Sequence, residues 1–241
     1  MFTRVITPVL VHVVAFAAVM SVPSPARAQD NTILVASGSA GGSVIPAFAV
    51  KLADPATATA VDLQGRKFIN AATWGGSIGV WKKADGRRLI WGLRGEVSRQ
   101  KTDANSQTLS ASGTLFGQPY TGPLPAPPAD GSAIVATGTF LIGGQLGGGT
   151  TSAFGRVTPY AGFGGGIDRV TGTFSGSGEA TDIGAVFQVV GGVAIGLGHR
   201  VSTFAEYRYH RVSQHLVLGT QNIDFAVRPN HVVAGVTVKL R

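Results

Sequence analysis

The sequence predicts an all-β chain: an eight-stranded antiparallel up-and-down transmembrane β-barrel, preceded by a cleavable signal peptide. Three observations predict it. Runs of roughly ten residues recur with apolar side chains on alternate positions. The gaps between them alternate in length: Lys82–Arg88 and Gly198–Arg200 are tight, while Lys101–Gly131, Val170–Asp182 and Gln214–Asn230 are long. Short periplasmic turns and long outer loops give a spanning barrel that rhythm. Finally, 44% of residues are hydrophobic and only 13% charged, yet no window beyond Ala28 holds the ~20 uninterrupted apolar residues of a spanning helix. Apolar content that never gathers into one helix-length block fits strands with one face in lipid.

The amino terminus reads as a leader. Arg4 supplies a positive start, Val5–Val22 is mostly apolar, and Ala26-Arg27-Ala28 is a small-x-small cleavage site. Residues 1–28 are thus expected to be removed, leaving 29–241 as the barrel domain. Loss of Arg4 and Arg27 leaves 18 basic against 12 acidic residues, a mature charge of +6. That charge suits the phosphates of lipopolysaccharide or other anionic polymers. The basic residues are scattered on an exported chain, which argues against nucleic acid. The chain has no cysteine, so a disulfide framework, thiolate zinc and thiol catalysis are excluded.

The eight expected strands follow in order. Asn31–Gly42 opens with β-branched residues. Ser43–Asn70, carrying Pro46, Pro55 and several charges, reads as the first outer loop, with Ala56–Ala60 low in complexity and a candidate for disorder. Ala72–Trp81 is second, followed by a turn at Asp85-Gly86. Leu89–Gln100 is third and alternates most cleanly: Leu89, Trp91, Leu93, Gly95 and Val97 face lipid, while Ile90, Gly92, Arg94, Glu96 and Ser98 face inward. Ser132–Gly144 is fourth and the glycine-rich Gln145–Gly155 its turn. Arg156–Arg169 is fifth, with Pro159 near its start. Ile183–Leu197 is sixth, with Gln188 inward. Val201–Arg211 is seventh, placing Phe204, Glu206, Arg208 and His210 on one face. His231–Arg241 is eighth.

Four charged positions invite a role. Arg94 and Glu96 lie two apart on one strand, Glu206 and Arg208 two apart on another. An eight-stranded barrel has just enough interior for side chains to fill, and a buried charge requires a partner. The four are expected to form an ion-pair ladder that orders the lumen; a gate or proton path, and a catalytic carboxylate, are the other uses of such a cluster. Trp74, Trp91, Tyr207 and Tyr209 are expected in the aromatic girdles at the lipid–water boundaries. Tyr160 has the opposite parity to Ala161 and Phe163 and is placed inside. Gly162, Gly164, Gly166 and Gly192 would leave room for bulky neighbours such as Arg94 and Tyr160. GSAGG at Gly38–Gly42 and GGGTT at Gly147–Thr151 lack the Lys-Ser/Thr ending and following helix of a phosphate loop. Ser213, His215 and Glu206 supply the residue types of a hydrolase triad, but a triad is defined by geometry. His210 and His215 straddle a strand end, a spacing that does not favour a metal pair.

PYAGFGGGID (Pro159–Asp168), FQVVGGVAIGLGHRVSTFAEYRYHRV (Phe187–Val212) and NHVVAGVTVKL (Asn230–Leu240) resemble the small outer-membrane β-barrel superfamily. That group includes the OmpA transmembrane domain and opacity-type surface proteins. Glu206-Tyr207-Arg208-Tyr209 is similar to the family's penultimate strand, which implies a lumenal charged pair; Pro159-Tyr160 with Gly162 is similar to its central strand. The chain ends Lys239-Leu240-Arg241, whereas the family usually ends on an aromatic that the insertion machinery reads, and no peptidoglycan-binding domain follows. The resemblance specifies architecture rather than task, since its members range from structural anchors and adhesins to weak porins; the task expected of the chain is non-enzymatic, structural or surface-interaction, without cofactor or metal. Its expected partners are outer-membrane lipid, lipopolysaccharide, the insertion machinery, and host or envelope ligands at the outer loops, above all Lys101–Gly131. The alternatives are a narrow porin-like channel and a lipid-modifying barrel hydrolase.

Overall fold

A closed ring of eight antiparallel strands forms the body of the protein: β1 (Thr32–Val44), β4 (Ala71–Lys83), β5 (Leu89–Lys101), β8 (Ala129–Gly144), β9 (Val157–Phe174), β10 (Gly178–Gly196), β11 (Val201–Leu218) and β13 (Asn230–Lys239). Each pairs with the next, and β13 closes onto β1. The computed structural model describes residues 32–84, 88–146, 157–174 and 178–240, all within one compact unit. The expected leader, the Asp85-Gly86 turn and most of Gln145–Gly155 lie outside the described residues.

The register fixes the barrel's dimensions. Paired residues lead once around from Lys239 through Val35, Gly79, Arg94, Thr139, Gly164 and Gln188 to His210. The His210 N–H then donates to Pro229 O at 2.9 Å, ten residues from the start. Eight strands with a stagger of ten tilt by roughly 40° and enclose a cylinder of roughly 16 Å backbone diameter. Parity follows the sequence. On β5, Ile90, Gly92, Arg94 and Glu96 are buried while Leu89, Trp91 and Leu93 are exposed. On β10, Ile183, Phe187, Val189 and Ile195 are exposed and Val186, Gln188 and Val190 buried. Outward apolar side chains on every wall form the lipid-facing band of an outer-membrane barrel, about 25 Å tall.

Three inward aromatics pack over glycines on the neighbouring strand. Trp81 pairs with Gly92, Tyr160 with Gly192, and Phe204 with Gly235. A Cβ at these glycines would lie 2.9 Å from the Trp81 ring, 2.9 Å from Tyr160 Oη and 2.5 Å from Phe204 Cζ. Each ring therefore lies flat on bare backbone. A Cβ at Gly162 would meet Leu141 Cδ2 at 2.5 Å, so that glycine leaves room for a bulky neighbour as expected; at Gly162, Gly164 and Gly166 it would also meet the β8 backbone of Phe140, Gly138 and Ala136, so bare backbone there lets β9 and β8 approach closely.

The long gaps are where the structure departs from expectation. Ser43–Asn70 carries β2 (Phe48–Asp54) and β3 (Thr59–Arg66), joined through a 3₁₀ turn at Pro55–Thr57, so Ala56–Ala60 forms that turn and the start of β3. Lys101–Gly131 carries β6 (Gln107–Leu115) and β7 (Gln118–Ala126). β11 continues to Leu218 and turns back as β12 (Gln221–Val227). β9 and β10 pair up to Phe174 and Gly178, so this gap is a hairpin end. Because β10 has 19 residues and a tilted span needs about 9–11, the strands overshoot the membrane outward. The overshoot extends sideways in the order β11-β12-β2-β3-β6-β7. Its buried face has its own core of Val50, Val61, Leu63, Leu109, Leu216 and Ile223. Burying that face is what turns the loops into strands.

Candidate functional site: a charged lumen below an apolar outer chamber

β5 and β11 stand four strands apart in a ring of eight, on opposite walls. Both run outward, so Arg94 lies below Glu96 and Glu206 below Arg208. Opposite charges thus face one another in two rungs. The Arg94 guanidinium donates to both Glu206 oxygens, at 2.6 and 2.9 Å. Arg208 donates to Glu96 Oε1 and, through Nε, to Glu206 Oε1. Arg94 Nε and Glu96 Oε2 lie 3.6 Å apart, and the Tyr160 hydroxyl donates to Glu206 Oε2 at 2.8 Å. All four charged side chains are buried and their charges cancel. An arginine and a glutamate, end to end, span a lumen of this width. The spacing of two within each strand is required because only alternate residues point inward.

Apolar layers bracket this cluster. Beneath it lie Val35, Trp81, Ile90, Leu141 and Val190, with Tyr160 edge-on to Trp81 at 6.0 Å. Above it, at the outer rim, lie Ile45, Val135, Val186, Val212 and Val227, with Phe48, Phe68 and Phe225 against them. A cavity of about 30 Å³ lies between Trp81, Arg94, Tyr160 and Phe204, room for one or two waters.

The expected girdle residues all stand on the outer wall. Trp74 is 59% and Tyr207 51% exposed, Trp91 39%, and Tyr209 shares the parity of Tyr207. The Tyr207 hydroxyl bonds Asn230 Oδ1. Trp81 is instead lumenal. The hydrolase trio does not converge: Ser213 and His215 point outward and Glu206 inward, since their spacing is odd. Gly38–Gly42 lies within β1 rather than in a loop, and Gly147–Thr151 lies outside the described residues. His215 pairs with Asp224 rather than His210.

No protein-family model matches this chain, and no curated protein matches it in sequence. Among solved structures it is similar to the neisserial surface protein A NspA, at 16% identity over 87% of this chain and 97% of that one, with a TM-score of 0.45. It is also similar to the outer membrane protein OprG of Pseudomonas aeruginosa, at 14% identity, 87% and 97% coverage and a TM-score of 0.45. A third is the Escherichia coli outer membrane protease OmpT, at 10% identity, 86% and 97% coverage and a TM-score of 0.44. The ring of eight strands rests on this chain's own register, and that closed ring with its outward apolar side chains is the architecture of an outer-membrane β-barrel.

Proposed function

We propose that the chain is a non-enzymatic structural and surface-interaction barrel whose lumen does not conduct. The two ion-pair rungs across the lumen, with an apolar layer beneath and an apolar rim closing the lumen above, carry this reading: they leave water and ions no continuous polar path. Arg94, Glu96, Glu206 and Arg208 then have a structural role, tying opposite walls together. The working surface is the outer sheet. Its two hairpin tips are stitched together, with Gly117 N–H donating to Ala58 O at 3.0 Å. At the outermost turn Phe116 is 70% exposed, in a left-handed conformation (φ 51°). A bulky side chain held in that strained conformation, in solvent, is a candidate contact residue. Arg99, Lys101 and Arg211 point outward on strands that also carry the lipid-facing band. There they suit lipopolysaccharide phosphates.

The test is conductance of the refolded mature chain in planar bilayers. Silence is expected, and small current steps appearing on loss of the rungs (Arg94→Ala with Arg208→Ala) would fit the same reading. Steady steps from the unaltered protein would instead support the narrow channel.

A further inference from the structure

Above the rungs lies a polar layer that the proposed function does not use. His210 on β11 and His231 on β13 point into the lumen and are each 3% exposed. Their ring centroids are 4.6 Å apart, with the planes inclined by 53°. Among the described residues, none of the four ring nitrogens has a hydrogen-bond partner. The adjacent inward positions are Gln188, paired with His210, and Ser43, paired with His231. Both are buried, and Gln188 Oε1 and Ser43 Oγ are likewise unpartnered. Buried polar atoms without partners are rare and each calls for an explanation; six of them share this layer, where one ligand could supply the missing partner.

We propose that His210 and His231 form a binding site for one late first-row divalent cation such as Cu²⁺ or Zn²⁺, completed by Gln188 Oε1, Ser43 Oγ or water. Imidazole nitrogen is the donor these cations prefer. Two imidazoles on one cation, each with a metal–nitrogen bond of about 2.0–2.1 Å, hold their ring centres from about 4.5 Å apart at a right angle to about 5.2 Å at the tetrahedral angle. The observed separation falls in that range. Arg208, one position below on β11, would repel a cation if it stood alone. It is committed to Glu96 and Glu206, and its cluster is neutral overall. No group of three or more His, Asp or Glu that could hold a metal ion occurs among the described residues. The site therefore consists of two imidazoles and neutral oxygens, which excludes hard cations such as Ca²⁺ and Mg²⁺. Enclosure between the rungs and the rim makes loading slow once the barrel is closed.

The experiment uses the tag-free mature chain refolded in detergent, with heat-shifted gel mobility as the check of folding. Calorimetric titration with CuCl₂ and ZnCl₂ is expected to give one site per chain. His210→Gln or His231→Gln should weaken it at least tenfold, and the double surface variant His199→Gln/His215→Gln should leave it unchanged. Metal present during refolding should load within the refolding time, whereas metal added afterwards should load more slowly than it does at an exposed histidine. Should a lumenal variant fail to fold, the electron paramagnetic resonance spectrum of Cu²⁺ on the unaltered chain decides: two coordinated nitrogens are expected. No binding, binding lost only in the surface variant, or a spectrum with fewer than two nitrogens overturns the proposal.

Discussion

Arg94 and Glu206 join opposite walls of the barrel through two parallel hydrogen bonds of 2.6 and 2.9 Å. Their strands run in the same direction, so Arg-x-Glu on β5 meets Glu-x-Arg on β11 with every charge opposite its complement. Reversing the order on one strand alone would set like charges against each other. Such a pair orders the barrel more than it stabilises it, because desolvating two ions offsets most of their attraction. Removing a single partner is another matter, since it leaves a buried ion alone.

Arg94→Met is therefore expected to destabilise the folded barrel by about 3–5 kcal/mol. The exchange Arg94→Glu with Glu206→Arg keeps both rungs, though it sets like charges two apart on each strand, and should recover part of that loss. Urea titration followed by the folded and unfolded gel bands measures both. A double variant no more stable than the single would show that the rungs are not what these residues contribute.

The aromatic–glycine pairs make a steric prediction. Gly235→Val would drive a side chain into the Phe204 ring; overpacking of this kind costs about 1–3 kcal/mol. Gly38→Ala, on the outer wall with nothing within 4 Å of the added carbon, should be neutral. Equal unfolding midpoints for the two variants would contradict the packing described here.

The ring of eight was legible because lipid imposes a strict period of two, clearest on β5, β10, β11 and β13. The same parity marked Arg94, Glu96, Glu206 and Arg208 as lumenal. Which charge meets which depends on the stagger of ten residues, a property of the closed ring that no single strand displays. The outer strands were hidden for two reasons. Lys51 and Asp62 look like loop residues, yet they sit opposite one another on the solvent face while Val50, Val61 and Leu63 turn inward. Pro119, Pro123 and Pro125 argue against a strand in general but not against an edge strand. His210 and His231 are far apart in sequence; the nearer pair, His210 and His215, has an odd spacing that sends the rings to opposite faces.

In the outer sheet, away from the membrane, His215 Nδ1 donates to Asp224 Oδ1 at 2.5 Å. That hydrogen bond, and then the carboxylate's charge, raise the His215 pKa above its ordinary value. A raised pKa means that the stabilising contact is fully present below the ordinary histidine range and fades as pH climbs through the raised value. The proton resonances of His215 should titrate late, and Asp224→Asn should move the midpoint down toward the ordinary value, Asp182 still acting on the ring. A midpoint indifferent to Asp224→Asn would count against the pair.

The β6–β7 hairpin is separable from the barrel. Ala104 and Ala129 already exchange hydrogen bonds of 2.7 and 2.9 Å at its base. Replacing Ser106–Pro128 by two glycines therefore closes a short turn without stretching β5 or β8. Membrane insertion and the heat-shifted band should survive, while contacts made by Phe116 are lost. Failure to assemble would mean that the outer sheet helps to form the barrel itself.

β7 ends the outer sheet, and an exposed edge is open to pairing with another chain. Pro119, Pro123 and Pro125 share one parity and supply no N–H. The Tyr120 hydroxyl bonds Pro123 O at 2.7 Å, so that carbonyl points away from β6 and the missing donors lie on the free side. Among alternate positions from 119 to 125, Thr121 alone offers an N–H to that side. Pro123→Thr with Pro125→Thr restores two donors in register and should turn the edge into a pairing surface. The expected result is a dimer, seen by light scattering in detergent and abolished by Thr121→Pro in the same background. A variant that stays monomeric at every concentration would mean that something other than the prolines keeps this edge apart from its copies.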